Sequence, residues 1–81
     1  MNLSKIPTLD LHGEISKMVY PLVNVFIKDN MLINQKIIKV VHGTSSNILK
    51  DELKIVLNEN KEVLKHHLNK DNLGETIVYL K

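Results

Sequence analysis

Two apolar runs in this chain end on the same dipeptide. Thr8-Leu9-Asp10-Leu11-His12 is followed by Gly13, and Lys36-Ile37-Ile38-Lys39-Val40-Val41-His42 is followed by Gly43, thirty positions later. Each run is strand-forming, each glycine lets the backbone turn sharply, and each is followed by a segment with helical spacing. A chain patterned this way folds as two strand–turn–helix units with a histidine at the carboxyl end of each strand. In open α/β sheets ligands bind at that end, because side chains and helix amino termini converge there. His12 and His42 are therefore the leading candidates for a functional site. The repeat has the span of one βαβ unit, not of a solenoid.

The remaining pattern fills in the architecture. Leu9 and Leu11 alternate with Thr8, Asp10 and His12, which describes a half-buried strand. Residues 1–7 are expected to form a loose, flexible start. Ser16 is expected to cap a helix over 17–30, in which Met18, Val19, Leu22, Val23, Phe26 and Ile27 form a wide apolar stripe. Pro21 falls just past the first turn of such a helix, so the helix either bends there or begins nearer Tyr20. The run 36–41 is nearly continuous and β-branched, as in an interior strand covered on both faces. A turn over 43–47 leads to a second helix, with Ile48, Leu49, Leu53, Val56 and Leu57 on its apolar side and its end near Asn58. A third strand is expected over 62–68, a turn over 69–74 and a fourth strand over 76–80. The order β-α-β-α-β-β specifies an α/β (α+β) two-layer sandwich. Its mixed sheet has about four strands, closes with a hairpin, and carries both helices on one face through right-handed crossovers. Residues 8–81 make one domain.

Composition narrows the function classes. Eighty-one residues leave no room for a second domain, and a chain this short buries only roughly 60% of the surface its unfolded form exposes. There is no cysteine, so neither disulfides nor thiolate metal sites reinforce the fold. The start lacks the apolar stretch of a secretion signal, and no apolar run approaches the ~20 residues that span a bilayer. A cytoplasmic protein without a membrane partner is expected. All eleven basic residues are lysine, so any phosphate contact must use ammonium groups, hydroxyls or backbone N–H groups instead of a guanidinium fork. The formal charge of +2 permits a nucleic-acid partner without demanding one.

The motifs, taken in order, resemble those of a known family. Leu9-Asp10-Leu11-His12-Gly13 is similar to the Leu-Asp-Leu-His-Gly signature of the small MutS-related (Smr) domain. That family opens its second helix with His-Gly-x-Gly-x-Gly-x-Leu-Arg, which here reads His42-Gly43-Thr44-Ser45-Ser46-Asn47-Ile48-Leu49-Lys50. Its closing Gly-x-Thr/Ala-x-Val-x-Leu strand is matched by Gly74-Glu75-Thr76-Ile77-Val78-Tyr79-Leu80. The resemblance covers residues 8–80. Ser45 and Asn47 stand where the family prefers glycine, Lys50 where it prefers arginine, and Met18-Val19 where it commonly has Glu-Ala. The resemblance implies a fold similar to the carboxyl-terminal domain of bacterial translation initiation factor three. It also implies a nucleic-acid-binding module, several relatives being endonucleases that nick DNA or cut RNA, including messenger RNA on stalled ribosomes.

The residues themselves suggest how such chemistry would run. Asp10 and His12 lie two apart on a strand and so share a face, where the carboxylate could orient the imidazole. His42 is expected at the same sheet edge, with both rings facing solvent beside the start of the second helix. Two imidazoles near a phosphodiester can serve as general base and general acid. On RNA, one would deprotonate the 2′-hydroxyl and the other would protonate the departing oxygen. Asp10, His12 and His42 are thus the candidate catalytic residues. Gly13, Gly43, Thr44, Ser45, Ser46, Asn47 and Lys50 are the candidate nucleic-acid-binding residues, offering N–H groups, hydroxyls and one charge to phosphate oxygens. No cofactor is evident. A divalent metal on Asp10 stays open, though no full ligand set accompanies it. His66-His67 does not make a metal pair, since adjacent strand residues point to opposite faces. Asp10 has a second reading as a turn cap, and Thr44–Asn47 one as a helix cap alone. Tyr20, Phe26 and Tyr79 are too scattered to form a base-stacking platform. A non-catalytic module binding nucleic acid or a ribosome, in DNA repair, recombination or translation quality control, is the alternative to an endonuclease. A degenerate domain kept for protein contact ranks last, because no exposed apolar stripe supports it.

Overall fold

The computed structural model describes residues 5–81, so the first four residues of the expected loose start lie outside the described part. The elements are β1 (Thr8–Asp10), a 3₁₀ turn (Ser16–Met18), α1 (Val19–Leu32), β2 (Ile37–Val41), α2 (Ile48–Glu59), β3 (Val63–Asn69) and β4 (Asn72–Leu80). They form one four-stranded sheet in the order β1-β2-β4-β3. β1 and β2 are parallel, and β4 runs antiparallel to both β2 and β3. The expected α+β sandwich is the one observed, with a single antiparallel strand supplied by the hairpin. Among the described residues no helix is long and apolar enough to cross a membrane.

The core forms where the two sequence periods meet. Val19, Val23 and Ile27 of α1 and Leu53, Val56 and Leu57 of α2 are buried against Ile38, Val40, Val78 and Leu80 of the interior strands. Fully burying one such side chain contributes about 1.5–3 kcal/mol. β2 does not have both faces covered, as its β-branched run had suggested. Ile38 and Val40 are buried while Ile37, Lys39 and Val41 are only partly so, because the helices lie on one side alone. On the other side Lys39 pairs with Glu75 at 3.6 Å.

Element ends depart from expectation for local reasons. α1 begins at Val19 after the 3₁₀ turn, which places Pro21 in the first turn, where a missing N–H costs no helical bond. The cap position is therefore Met18, and Ser16 makes no cap bond among the described residues. The helix closes in a Schellman motif: Gln35 N–H donates to Asn30 O at 2.9 Å and Asn34 N–H to Met31 O at 3.1 Å, with Asn34 at φ 62°. β1 ends at Asp10, two residues early. β4 starts at Asn72, so the 69–74 turn shrinks to Lys70-Asp71 between paired Asn69 and Asn72. At the start of the domain Ile6 is buried, and Pro7 O accepts a bond from Lys39 N–H, so residues 6 and 7 already pack on the sheet.

Candidate functional site

Parallel pairing of β1 with β2 brings Asp10 beside Val41, so both histidine turns open at one rim of the sheet. Leu11 N–H donates to Val41 O at 2.7 Å, and the buried Leu11 side chain anchors the end of the first run. The chain then reverses: Glu14 N–H donates to Leu11 O at 2.9 Å, with Gly13 at φ 85°. Asp10 Oδ1 accepts the His12 backbone N–H at 2.8 Å. The carboxylate thus holds the turn that carries His12 and does not bond its imidazole. Of the two readings open for Asp10, turn capping is the observed contact. The His12 side chain is exposed, and its ring makes no hydrogen bond among the described residues.

The second turn is built differently. His42 is only 3% exposed. Its Nδ1 lies 3.0 Å from Gly43 O, and its Nε2 lies 2.9 Å from Thr76 Oγ1. A carbonyl only accepts, so Nδ1–H donates to Gly43 O and the neutral ring's Nε2 accepts the Thr76 hydroxyl proton, a tautomer inferred from the network. Gly74 O accepts two N–H groups, from His42 at 2.8 Å and Gly43 at 3.0 Å. Gly74 lies so close that a Cβ there would stand 3.3 Å from Gly43 Cα, a backbone-on-backbone contact with no side chain to yield. The expectation of two solvent-facing imidazoles is therefore corrected. His42 follows an interior strand, and β4 encloses its ring with Thr76.

The two turns still meet. A Cβ on Gly43, at φ 80°, would lie 3.7 Å from His12 Cδ2, so the His12 ring rests over Gly43. Beyond Gly43, Thr44, Ser45, Ser46 and Asn47 are all exposed. Ser46 Oγ accepts Ile48 N–H at 3.2 Å, whereas Asn47, at the cap position, makes no side-chain cap bond. Ser46 thus does serve as a cap, and the next N–H groups of α2 have no side-chain partner among the described residues. His12, Gly13 and the 44–47 loop are exposed and, with the half-buried Gly43 between them, form one rim, with Asp10 beside it. Lys50 is placed apart. It lines a cleft between α2 and β3 together with Lys54, His66 and Thr76. His66 bonds Asn58 on α2, while His67 turns to Tyr79 on the opposite face, with ring centroids 5.5 Å apart. Among the described residues, no three His, Asp or Glu side chains gather as metal ligands.

Thr76 and Gly74 are the residues whose roles the sequence reading missed. Thr76 alternates in register with Val78 and Leu80, so its hydroxyl occupies a core-facing position, and a polar group there requires a partner. That signal was available in the pattern.

Comparison with solved structures shows the same fold. The chain is similar to the Smr domain of Thermus thermophilus MutS2, with a TM-score of 0.90 at 18% identity over 94% of this chain and 99% of that one. It is also similar to YdaL, a stand-alone small MutS-related protein from Escherichia coli, with a TM-score of 0.85 at 19% identity over 91% of this chain. It spans 63% of YdaL. No curated protein sequence matches it. The Smr domain model matches residues 9–81, which takes in both histidine turns and the closing strand, and the chain belongs to the Smr domain family.

Proposed function

We propose that the domain binds nucleic acid through its phosphate backbone at the rim formed by the His12 turn and the 43–47 loop. The observation that carries this reading is the exposed His12 ring lying over Gly43, next to the start of α2, where Ser46 caps the Ile48 N–H and the N–H groups that follow have no side-chain partner among the described residues. Backbone N–H groups at a helix amino terminus suit an anion, and three hydroxyl side chains and an amide surround them. Membership in the Smr family supports nucleic acid as the source of that anion.

Cleavage is the second reading, and burial of His42 reshapes it. With one exposed imidazole, His12 would act as the base on RNA, taking the proton of a 2′-hydroxyl. The 2′-oxygen would form a bond to phosphorus, the 5′-oxygen would leave to give a 2′,3′-cyclic phosphate, and water would protonate the leaving oxygen. The amino terminus of α2 would stabilise the charge that develops on the phosphate. A strand held by a ribosome would present the same phosphates as a free one.

Labelled single-stranded RNA and supercoiled plasmid, offered to the parent and to His12→Ala, test both readings. Binding is expected to weaken steeply with salt, and any cleavage is expected to disappear in His12→Ala. A binding curve flat in salt would overturn the phosphate contact. Equal cleavage by parent and variant would remove His12 from the chemistry.

A further inference from the structure

We propose that the cleft between α2 and β3 is a second phosphate site, which takes a backbone phosphate and its sugar from the strand held at the rim; this rests on the rim reading above. The cleft has a volume of about 240 Å³. That is below the ~300–1,000 Å³ of pockets that take a drug-sized ligand, and suits a fragment of a polymer. Lys50 and Lys54 form one wall, one helical turn apart, which sets them about 6 Å apart along the axis. His66 stands on the opposite wall, Thr76 at the inner end, and Leu53 and Leu57 line the base. Among the described residues no aspartate or glutamate lines the cleft. The ion pair seen among the described residues, Lys39 with Glu75, engages neither Lys50 nor Lys54. A second cleft of the molecule, beside Tyr20, carries Glu59 and Glu62 in its wall, so the lysine pair without a carboxylate is not a general property of this surface.

The electrostatics of the cleft also ask for an anion. Burial first, then Lys54, then His67 hold the His66 ring below its ordinary range, so the cleft resists a further positive charge while it has no counter-ion. His66 Nε2 lies 2.8 Å from Asn58 Oδ1 and donates to it, leaving Nδ1 as the nitrogen that can gain a proton when an anion arrives. The cleft is joined to the rim by one contact, since Thr76 at its inner end bonds the His42 ring that donates to Gly43 O. Lys50, in the first turn of α2, stands between the two places. A strand that crosses the 43–47 loop and continues along α2 would meet Lys50 and then Lys54.

The test is binding of labelled single-stranded RNA, and of DNA of the same sequence, measured across a salt series. Parent, Lys50→Gln/Lys54→Gln, Lys54→Arg and a rim variant, Ser46→Asp, are compared. The double variant is expected to lose about 0.7 from the slope of log affinity against log salt, the share of one phosphate contact on a single strand. Lys54→Arg is expected to keep the parent slope, and Ser46→Asp to weaken binding. An unchanged slope and affinity in the double variant would overturn the cleft site and leave the rim reading standing. Loss of slope in the double variant with no effect of Ser46→Asp would overturn the rim reading and, with it, the assignment of the cleft to a strand held there. Displacement of bound RNA by low-millimolar inorganic phosphate from the parent would make the cleft a free-phosphate site and overturn its assignment to the strand. A parent that binds neither polymer overturns both.

Discussion

The His12 turn and the His42 turn share a sequence pattern and have opposite surroundings. β1 is an edge strand of three residues, so among the described residues no strand lies outside it, and the His12 side chain that follows is exposed. β2 is interior, flanked by β1 and β4, and the residue after it is enclosed by the neighbouring strand. The same His-Gly dipeptide thus gives, on one side, an exposed ring with no hydrogen bond among the described residues. On the other it gives a ring with both nitrogens bonded, to Gly43 O and to the Thr76 hydroxyl. A histidine's place in strand order, more than the motif around it, decides whether it is available for chemistry or serves to hold a loop. Here the buried ring shapes the turn on which the exposed ring rests.

The sharpest way to break this contrast is alanine at each histidine. His42→Ala empties a core position and strands the Thr76 hydroxyl and the Gly43 carbonyl, so a loss of about 2–4 kcal/mol is expected in urea unfolding. His12→Ala is expected to stay within about 0.5 kcal/mol of the parent, as surface changes do. Equal losses would erase the distinction. Thr76→Val comes next, since it keeps the shape and removes one partner of the His42 ring. An expected cost of about 1–3 kcal/mol, largely recovered by Thr76→Ser, would locate the effect in the hydroxyl. Gly13→Ala and Gly43→Ala probe the two turns at φ 85° and φ 80°, where a Cβ meets nothing within 4 Å and His12 Cδ2 at 3.7 Å, respectively. With no clash at either, both are expected to cost only the left-handed backbone penalty of about 1–2 kcal/mol, read as similar shifts in unfolding midpoint.

The smallest effect is on pH dependence and comes from His66, outside both turns. Its ring is held below the ordinary value of 6.5 by burial, then Lys54, then His67, with Lys50 also lining the cleft it faces. Between that lowered value and 6.5 the unfolded chain binds more protons than the folded one. This contribution therefore leaves stability highest above pH 6.5, lets it decline as pH falls through the window, and is constant below it. Urea midpoints of parent and His66→Asn should converge in slope above pH 7 and separate as pH falls below 6.5. Parallel curves throughout would remove His66 from the account.

Much of the fold was legible because its signals are periodic. The α2 stripe of Leu53, Val56 and Leu57 and the alternation of Ile38 with Val40 follow directly from helix and strand geometry, and the core is made from them. Element ends were less legible, because they depend on bonds to distant segments. Asn72 extends β4 only because Asn69 pairs with it across the hairpin. For the site, the sequence placed His12, His42 and the 43–47 loop at one sheet edge, and parallel pairing of β1 with β2 puts both turns there. The accessibility of each ring was not legible, since it depends on β4 lying beside β2, a pairing between residues more than thirty positions apart. The sequence also left Lys50 with the rim, because its cleft is created by β3 and is absent from local pattern.

Chemical modification with diethylpyrocarbonate, located by mass spectrometry with and without single-stranded RNA, most directly separates the two rings. His12 should react readily in the folded protein and become protected when RNA is present, while His42 stays unmodified until the chain is unfolded. Modification of His42 in the native state at a rate near that of His12, or reaction of His12 unaffected by bound RNA, would contradict the division of labour argued for this domain.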